Sequence, residues 1–169
     1  MRIATLVLTG MLLVLGAAIG QEGAGEGEVV EVRMVTEGSS FYFDPVGLLV
    51  EPGTTVRFIN ESGQHTATAY CEGNGKSNRI PEGAECWDSG MLVEEGATFE
   101  VTLTEEGVYD YFCLPHESLG MVGRIIVGSP DAFPVQDPAE LVPAVQEALP
   151  SVEEIMGAEG GRVSNEPAQ

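Results

Sequence analysis

The segment GVYDYFCLPHESLGMVGRIIV, residues 107–127, contains two strand patterns separated by a loop that carries metal-binding side chains. In its first part, tyrosines alternate with other residues, which is the period of two of a half-buried strand. Its last part, residues 122–127, is an apolar run that predicts a second strand. The loop between the strands places a thiol, an imidazole and a thioether within nine residues: Cys113, His116 and Met121.

The same alternation recurs at three other places in the chain. Apolar side chains alternate with polar ones at Val30, Val32 and Met34, at Val56 and Phe58, and at Phe99, Val101 and Leu103. Short strands separated by turns with Gly, Pro and Asn, without a long amphipathic helix among them, are typical of an antiparallel sandwich. We therefore predict an all-β domain of about seven or eight strands over residues 28–129.

Composition excludes several classes of function. The chain has 27 acidic residues against 7 Lys and Arg, which gives a formal net charge of -20. Such a field repels nucleic acid and anionic membrane surfaces, and no basic cluster is present to neutralise phosphates. With 43% hydrophobic residues, the 169-residue chain still has enough apolar material for one packed domain, which we expect to be monomeric. Its two histidines and three cysteines cannot build a site that needs several imidazoles or four thiolates.

The N-terminal residues 1–20 have the composition of a secretory signal peptide. An uncharged apolar run follows Arg2, and Ala18 and Gly20 supply the small residues that a signal peptidase requires. An uncleaved membrane anchor is the alternative, although the run is at the short end of what spans a bilayer. We expect a domain exported to the periplasm or cell surface, no membrane span in the mature chain, and a flexible leader over residues 21–27.

A turn-rich insertion follows the strand near residue 70. It is longer than most loops of compact domains, which usually means that it is tethered. Cys71 and Cys86 lie 15 residues apart within it, and a disulfide between them is expected in an exported protein. Two free thiols or an intermolecular bridge are the alternatives. Lys76 and Arg79 make the insertion locally basic, so we expect a solvated loop, or else a contribution to docking.

The composition changes again after Gly128. Residues 130–169 contain several prolines around a short helical stretch, and Ser151 with Glu154 has the spacing of a helix capping box. We expect an acidic, proline-containing tail with a short helix and a disordered end over residues 157–169. No function is assigned to this tail.

A candidate copper site combines the loop with a distant residue, His65, near the end of the strand with Val56 and Phe58. Cys113 and Met121 offer soft ligands for Cu(I), whereas imidazole suits both oxidation states of copper. Each residue alone has an ordinary structural explanation, such as core packing for Met121 or a disulfide partner for Cys113. Together the four residues match the donor set of a blue-copper electron-transfer centre, with two His, one Cys and a weak axial Met.

These residues also carry a resemblance to a known family. The loop resembles the copper-binding signature of plastocyanins and related small cupredoxins, including the archaeal halocyanins, and the resemblance covers residues 28–129. It rests on Cys113-Leu-Pro-His116-x3-Gly120-Met121-Val-Gly123 after Gly107-x-Tyr109-x-Tyr111, and on the upstream Phe43-x-Pro45, Gly53-x3-Arg57-Phe58-x-Asn60 and His65. The resemblance implies an eight-stranded cupredoxin-like Greek-key β-sandwich with copper near one end.

The resemblance further implies a role for each site residue. His65, Cys113 and His116 would be equatorial ligands of one type 1 copper, and Met121 the axial ligand. His116 would also pass electrons to the surface through an apolar rim, which includes Pro115 and Leu119. The chain departs from the family at Thr66, where Asn commonly follows the first ligand and ties the two ligand segments together, so the reduction potential is left open.

The predicted function is a one-electron carrier that cycles between Cu(I) and Cu(II) and serves redox partner proteins, with no enzymatic turnover of its own. A periplasmic copper chaperone or scavenger with the same ligands is the alternative. A multicopper oxidase would need more histidines, and a Cys–His hydrolase would need an orienting third residue that nothing marks. The negative charge favours either partners with basic docking surfaces or solubility at high salt.

Overall fold

The computed structural model describes residues 27–129 and 137–165. The predicted signal peptide, almost all of the predicted leader and the last four residues of the tail lie outside this part. Within it, nine strands and two short α-helices have these bounds: β1 Val29–Glu37, β2 Ser40–Asp44, β3 Gly47–Val50, β4 Thr54–Asn60, β5 Thr68–Ala69, β6 Thr98–Leu103, β7 Gly107–Phe112, β8 Val122–Val127, α1 Pro143–Ala148, α2 Val152–Gly157 and β9 Arg162–Val163. None of the helices in these ranges is long and apolar enough to cross a bilayer.

The strands form two sheets that pack face to face. One sheet has the order β2-β1-β4-β6 and the other has the order β5-β7-β8-β3-β9. The predicted all-β sandwich with a short helical C-terminal extension is confirmed, with nine strands in place of about eight. Buried side chains from alternate positions of both sheets fill the space between them, including Val32, Phe58 and Tyr111.

The expectation of an antiparallel sandwich was wrong for two strand pairs. β1 pairs with β4 in parallel, and β3 pairs with β8 in parallel, so both sheets are mixed. The chain passes from the first sheet in β2 to the second in β3 and back to the first in β4. Hydrophobic periodicity identifies β1 and β4, but it contains no information about which strand each one pairs with or in which direction.

The insertion after β5 is tethered as predicted and most of its residues are exposed, but its two basic side chains are paired within the molecule. Cys71 and Cys86 form an intrachain disulfide with their Cα atoms 6.0 Å apart. Arg79 is only 2% exposed, because its Nε donates to the buried carboxylate of Asp110 at 2.9 Å. Lys76 forms an ion pair with Glu117, on the loop between β7 and β8. Both basic side chains therefore form ion pairs with carboxylates of the same molecule.

The C-terminal tail packs on the outer face of the second sheet. Val145 and Leu149 of the α1 region form a second apolar cluster with Tyr70, Phe112 and Val122. Because the tail covers the outer face of the sheet, every residue of β8 is buried. This explains why the strand is apolar at every position except Gly123 and Arg124. The capping box of Ser151 and Glu154 is present at the start of α2.

The tail also differs from its predicted disorder. Residues 159–163 form a 3-10 turn and the short strand β9, which pairs with β3. Ser164 Oγ and Asn165 N donate to the carboxylate of Asp44. Burial raises the pKa of Asp44, but these hydrogen bonds and Arg33 outweigh it and hold the pKa below its ordinary value. Composition missed this order because the strand is two residues long and depends on contacts with distant residues.

Candidate metal centre

His65 follows β4 and is held in place by the segment that returns from the insertion. His65 N donates to Leu92 O at 3.1 Å, and Leu92 N donates to His65 O at 2.8 Å. Asn60, at the end of β4, donates its Nδ2 to Gly63 O and to Glu94 O, both at 3.1 Å. These bonds fix the segment on both sides of the ring, and the His65 side chain is fully buried.

Two oxygen atoms behind the His65 ring determine which nitrogen faces the site. Nε2 lies 2.9 Å from Ser62 O and 3.0 Å from Thr36 Oγ1. Because a carbonyl oxygen can only accept, this network places the proton on Nε2 and leaves the lone pair of Nδ1 free for a metal. Gly63, at φ +89°, leaves room for the Thr36 hydroxyl beside the His65 ring, since a Cβ at Gly63 would lie 2.2 Å from Thr36 Oγ1.

The other predicted ligands lie on the loop between β7 and β8, which closes by backbone hydrogen bonds. His116 N donates to Cys113 O at 3.0 Å, and Cys113 N donates to Met121 O at 3.0 Å. Met121 N donates to His116 O at 3.2 Å. Gly120 supplies the left-handed turn at φ +87° that the loop needs. The short loop therefore gathers all three residues at one end of the sandwich.

Three donor atoms converge across the two segments. Cys113 Sγ lies 3.6 Å from His65 Nδ1 and 3.4 Å from His116 Nδ1, and the three donor atoms all lie within 4.8 Å of one another. Metal bonds of about 2.0 Å to nitrogen and about 2.3 Å to sulfur, set about 120° apart, would separate the two donors by about 3.7 Å. The two observed sulfur–nitrogen distances therefore match those expected at a trigonal metal site.

Met121 stays a predicted axial ligand. Its side chain is fully buried and belongs to the same apolar cluster as Cys113, and its backbone bonds to both Cys113 and His116. The thioether is thus on the loop that carries two of the three donors. One thiolate, two imidazoles and one thioether fit copper, because the sulfur ligands suit Cu(I) and the imidazoles suit both oxidation states.

Burial sets the protonation states of the metal-free site. Burial raises the pKa of the Cys113 thiol, although hydrogen bonds from Thr66 and His116 oppose this. Burial also lowers the pKa of His65 and of His116 below the ordinary value for imidazole. Near neutral pH both imidazoles are therefore neutral and able to bind a metal, whereas the thiol must lose its proton on binding.

Thr66 takes the position where the resemblance expected Asn, and it still joins the two ligand segments. Its backbone N–H donates to Cys113 Sγ at 3.4 Å. Its Oγ1 accepts a hydrogen bond from Leu114 N at 2.8 Å. A threonine thus makes one contact to the ligand sulfur and one to the peptide beside it, and in this way joins the two ligand segments.

The rim of the site is apolar and includes residues that the sequence analysis missed. Pro115 and Leu119 are exposed beside the half-buried His116, and Leu114 is exposed as well, at 59%, so the electron-transfer role of this rim stays a prediction. Phe41 of β2 stacks on the His116 ring, with the ring centroids 3.9 Å apart and an interplanar angle of 11°. No local signal identified Phe41, because β2 itself was not predicted.

Comparison with known protein families agrees with this geometry. A family model described as copper binding proteins, plastocyanin/azurin family, matches residues 30–128. The plastocyanin minor isoform of Arabidopsis thaliana is 32% identical over 109 residues, 62% of this chain and 61% of that protein. Halocyanin from Natronomonas pharaonis is 36% identical over 105 residues, 61% of this chain and 58% of that protein. The match spans about three fifths of the length of both relatives.

Solved structures agree at the level of the fold. A pseudoazurin from Sinorhizobium superposes with a TM-score of 0.51 and 27% identity, covering 72% of this chain and 93% of that one. The native pseudoazurin from Hyphomicrobium denitrificans gives a TM-score of 0.54 at 22% identity, covering 71% of this chain and 91% of that one. The second likeness supports the sandwich alone, because its identity is low.

Proposed function

Because this chain belongs to the plastocyanin/azurin family of copper-binding proteins, we propose that it is a type 1 (blue) copper protein that carries single electrons between redox partners outside the cytoplasm. His65, Cys113 and His116 are the equatorial ligands in this proposal, and Met121 is the axial ligand. The observation that carries it is the convergence of the chain's two histidines and its unpaired cysteine within 4.8 Å.

The protein supplies a buried set of donor atoms whose two segments are held by backbone hydrogen bonds. When bound, copper supplies the one-electron change between Cu(I) and Cu(II). Cys113, His65 and Met121 are each 0% exposed, and backbone hydrogen bonds hold both ligand segments. Such a cage imposes the same donor positions on both oxidation states, so little rearranges when an electron arrives or leaves. All four proposed ligands are side chains of this protein and three of them are fully buried, which favours a carrier over an enzyme.

Electrons are proposed to enter and leave through His116. It is the one proposed ligand whose side chain is not fully buried, and its surroundings are the exposed Leu114, Pro115 and Leu119. An apolar rim lets a partner protein approach closely, because little bound water has to be displaced. We propose partner proteins with basic docking surfaces, since the chain has a net charge of -20.

The proposed location is outside the cytoplasm. The disulfide between Cys71 and Cys86 supports it, because such bonds form and persist in oxidising compartments. The apolar N-terminal segment supports it as well, through its likeness to a signal peptide.

An absorption spectrum of the copper-loaded protein tests the function. Oxidised protein should show intense visible absorption from thiolate-to-Cu(II) charge transfer, and Cys113→Ser should abolish the colour while the fold is retained. The matched control is the double variant Cys71→Ser with Cys86→Ser, which removes two other sulfur atoms and should keep the colour. A colourless Cu(II) protein that passes Cu(I) rapidly to a chelator would contradict the carrier and favour the chaperone alternative.

A further inference from the structure

Three hydrogen bonds connect the copper-ligand loop to an exposed carboxylate. Leu114 N donates to Thr66 Oγ1 at 2.8 Å, and Thr66 Oγ1 lies 2.8 Å from Thr68 Oγ1. Thr68 Oγ1 donates to Asp88 Oδ1 at 2.9 Å. Asp88 lies on the segment that follows the disulfide, and it pairs with Thr68 in an isolated β-bridge. We call this series the hydroxyl chain.

The direction of every bond in the hydroxyl chain follows from its two ends. The peptide N–H of Leu114 can only donate, and the carboxylate of Asp88 can only accept. Because the Thr68 proton is given to Asp88, the Thr66 hydroxyl must donate to Thr68. All three bonds therefore point from the ligand loop towards Asp88, and bonds aligned in this way polarise one another.

The hydroxyl chain is shielded from water except at Asp88. Thr66 is 3% exposed and Thr68 is 1% exposed, whereas Asp88 is exposed at the surface. Electrostatic effects fall off less in a buried environment than in water, since the local dielectric constant is lower. The negative charge of Asp88 is also fixed in position, because Gly90 N donates to the same Oδ1 at 3.1 Å.

The near end of the hydroxyl chain is attached to both ligand segments. Thr66 follows His65, and Leu114 follows Cys113. The backbone N–H of Thr66 donates to Cys113 Sγ, while its hydroxyl accepts from the peptide on the other side of that cysteine. A change in the orientation or polarisation of Thr66 therefore reaches the sulfur ligand and the spacing between the two segments.

We propose that Asp88 is a positioning residue that tunes the copper centre through Thr68 and Thr66, and that its charge lowers the reduction potential. This inference rests on the proposed function. Adding an electron to the site is less favourable when a negative charge polarises the hydrogen bonds around it, so the neutral variant Asp88→Asn should have a more positive potential. Asn retains a side-chain oxygen that can accept a hydrogen bond from Thr68, so the geometry of the hydroxyl chain is preserved.

Redox titration of the wild-type protein and five variants separates an effect of the hydroxyl chain from a simple effect of charge. Asp88→Asn should shift the potential upward by more than Glu85→Gln, which removes an exposed charge from the same insertion. Thr68→Val should shift it in the same direction, and Thr68→Ser should restore the wild-type value. In a Thr68→Val background, Asp88→Asn should lose most of its effect. Equal shifts for Asp88→Asn and Glu85→Gln, or fully additive effects of the two substitutions, would overturn the proposal.

A second measurement does not need copper. In the metal-free protein, Asp88→Ala should speed amide hydrogen exchange at Leu114, because the acceptor of that N–H becomes less well ordered, and Glu85→Ala should not. Unchanged exchange at Leu114 would contradict the positioning role. A wild-type protein without blue colour, combined with faster exchange in Asp88→Ala, would contradict the proposed function while leaving the hydroxyl chain supported.

Discussion

At the level of single residues, the site is determined by what lies behind and beside each ligand. Ser62 O and Thr36 Oγ1 fix the proton on His65 Nε2, and Phe41 covers one face of His116. The ligand types could be predicted from the sequence, because donor chemistry belongs to each side chain. These supporting contacts could not, since Thr36 and Phe41 are brought to the site from β1 and β2 by the packing of the sheets.

Removing the stacked ring should loosen His116. Phe41→Leu keeps an apolar side chain but loses an aromatic pair worth about 0.5–1.5 kcal/mol, so transfer of copper to a chelator should become about two- to tenfold faster. Stopped-flow measurement with an excess of chelator would give the rate. Phe99→Leu is the matched control, because Phe99 stacks on Phe58 in the core. Equal rates in the two variants would show that the Phe41 ring has no specific effect.

At the level of elements, most of the strands that were predicted share a regular alternation of apolar and polar side chains in a segment bounded by turns. β2 and β3 were missed because residues 41–50, FYFDPVGLLV, form a largely apolar stretch without alternation, although Asp44-Pro45 is a turn signal where the chain changes sheets. β5 and β9 are each two residues long, which is too short for any period to be recognised. Tertiary contacts create these two strands, and no local pattern encodes them.

A buried ion cluster joins three elements that are distant in sequence. Asp110 of β7 accepts from Arg79 of the insertion and from Arg124 of β8, at 2.7–3.0 Å. The same guanidinium groups donate to Asp137 O and Pro150 O of the tail, at 3.1 and 2.9 Å. The Asp110 carboxylate and its two arginines therefore connect the insertion, strands β7 and β8, and the tail.

Loss of that carboxylate should be strongly destabilising. Asp110→Asn removes the negative charge that pairs with the buried guanidinium groups of Arg79 and Arg124, so the free energy of unfolding should fall by about 3–5 kcal/mol. Urea unfolding of the metal-free protein would measure it. Glu100→Gln is the control, and its effect should be much smaller because the Arg57–Glu100 pair is exposed. Similar losses in the two variants would show that burial does not decide the strength of the pair.

At the level of the whole molecule, the net charge of -20 should govern association with redox partners. The rate constant for electron transfer to a cationic partner should fall at least about tenfold as ionic strength rises from low to molar salt, because screening shortens the range of the attraction. Stopped-flow kinetics would test this, with an uncharged reagent as the control. A salt-independent rate with the cationic partner would instead favour a role of the acidity in solubility.

The identity of the four candidate donors, the presence of a β-sandwich and the pairing of Cys71 with Cys86 could all be inferred from local patterns and residue chemistry. Each of these properties depends on side-chain type or on short-range periodicity, which a linear chain displays directly. The parallel pairing of β1 with β4, the burial of Arg79 and the hydroxyl chain to Asp88 depend on contacts between distant segments. Such contacts exist only once the two sheets, the insertion and the tail have packed together, because packing decides which polar groups lose water and must find a partner.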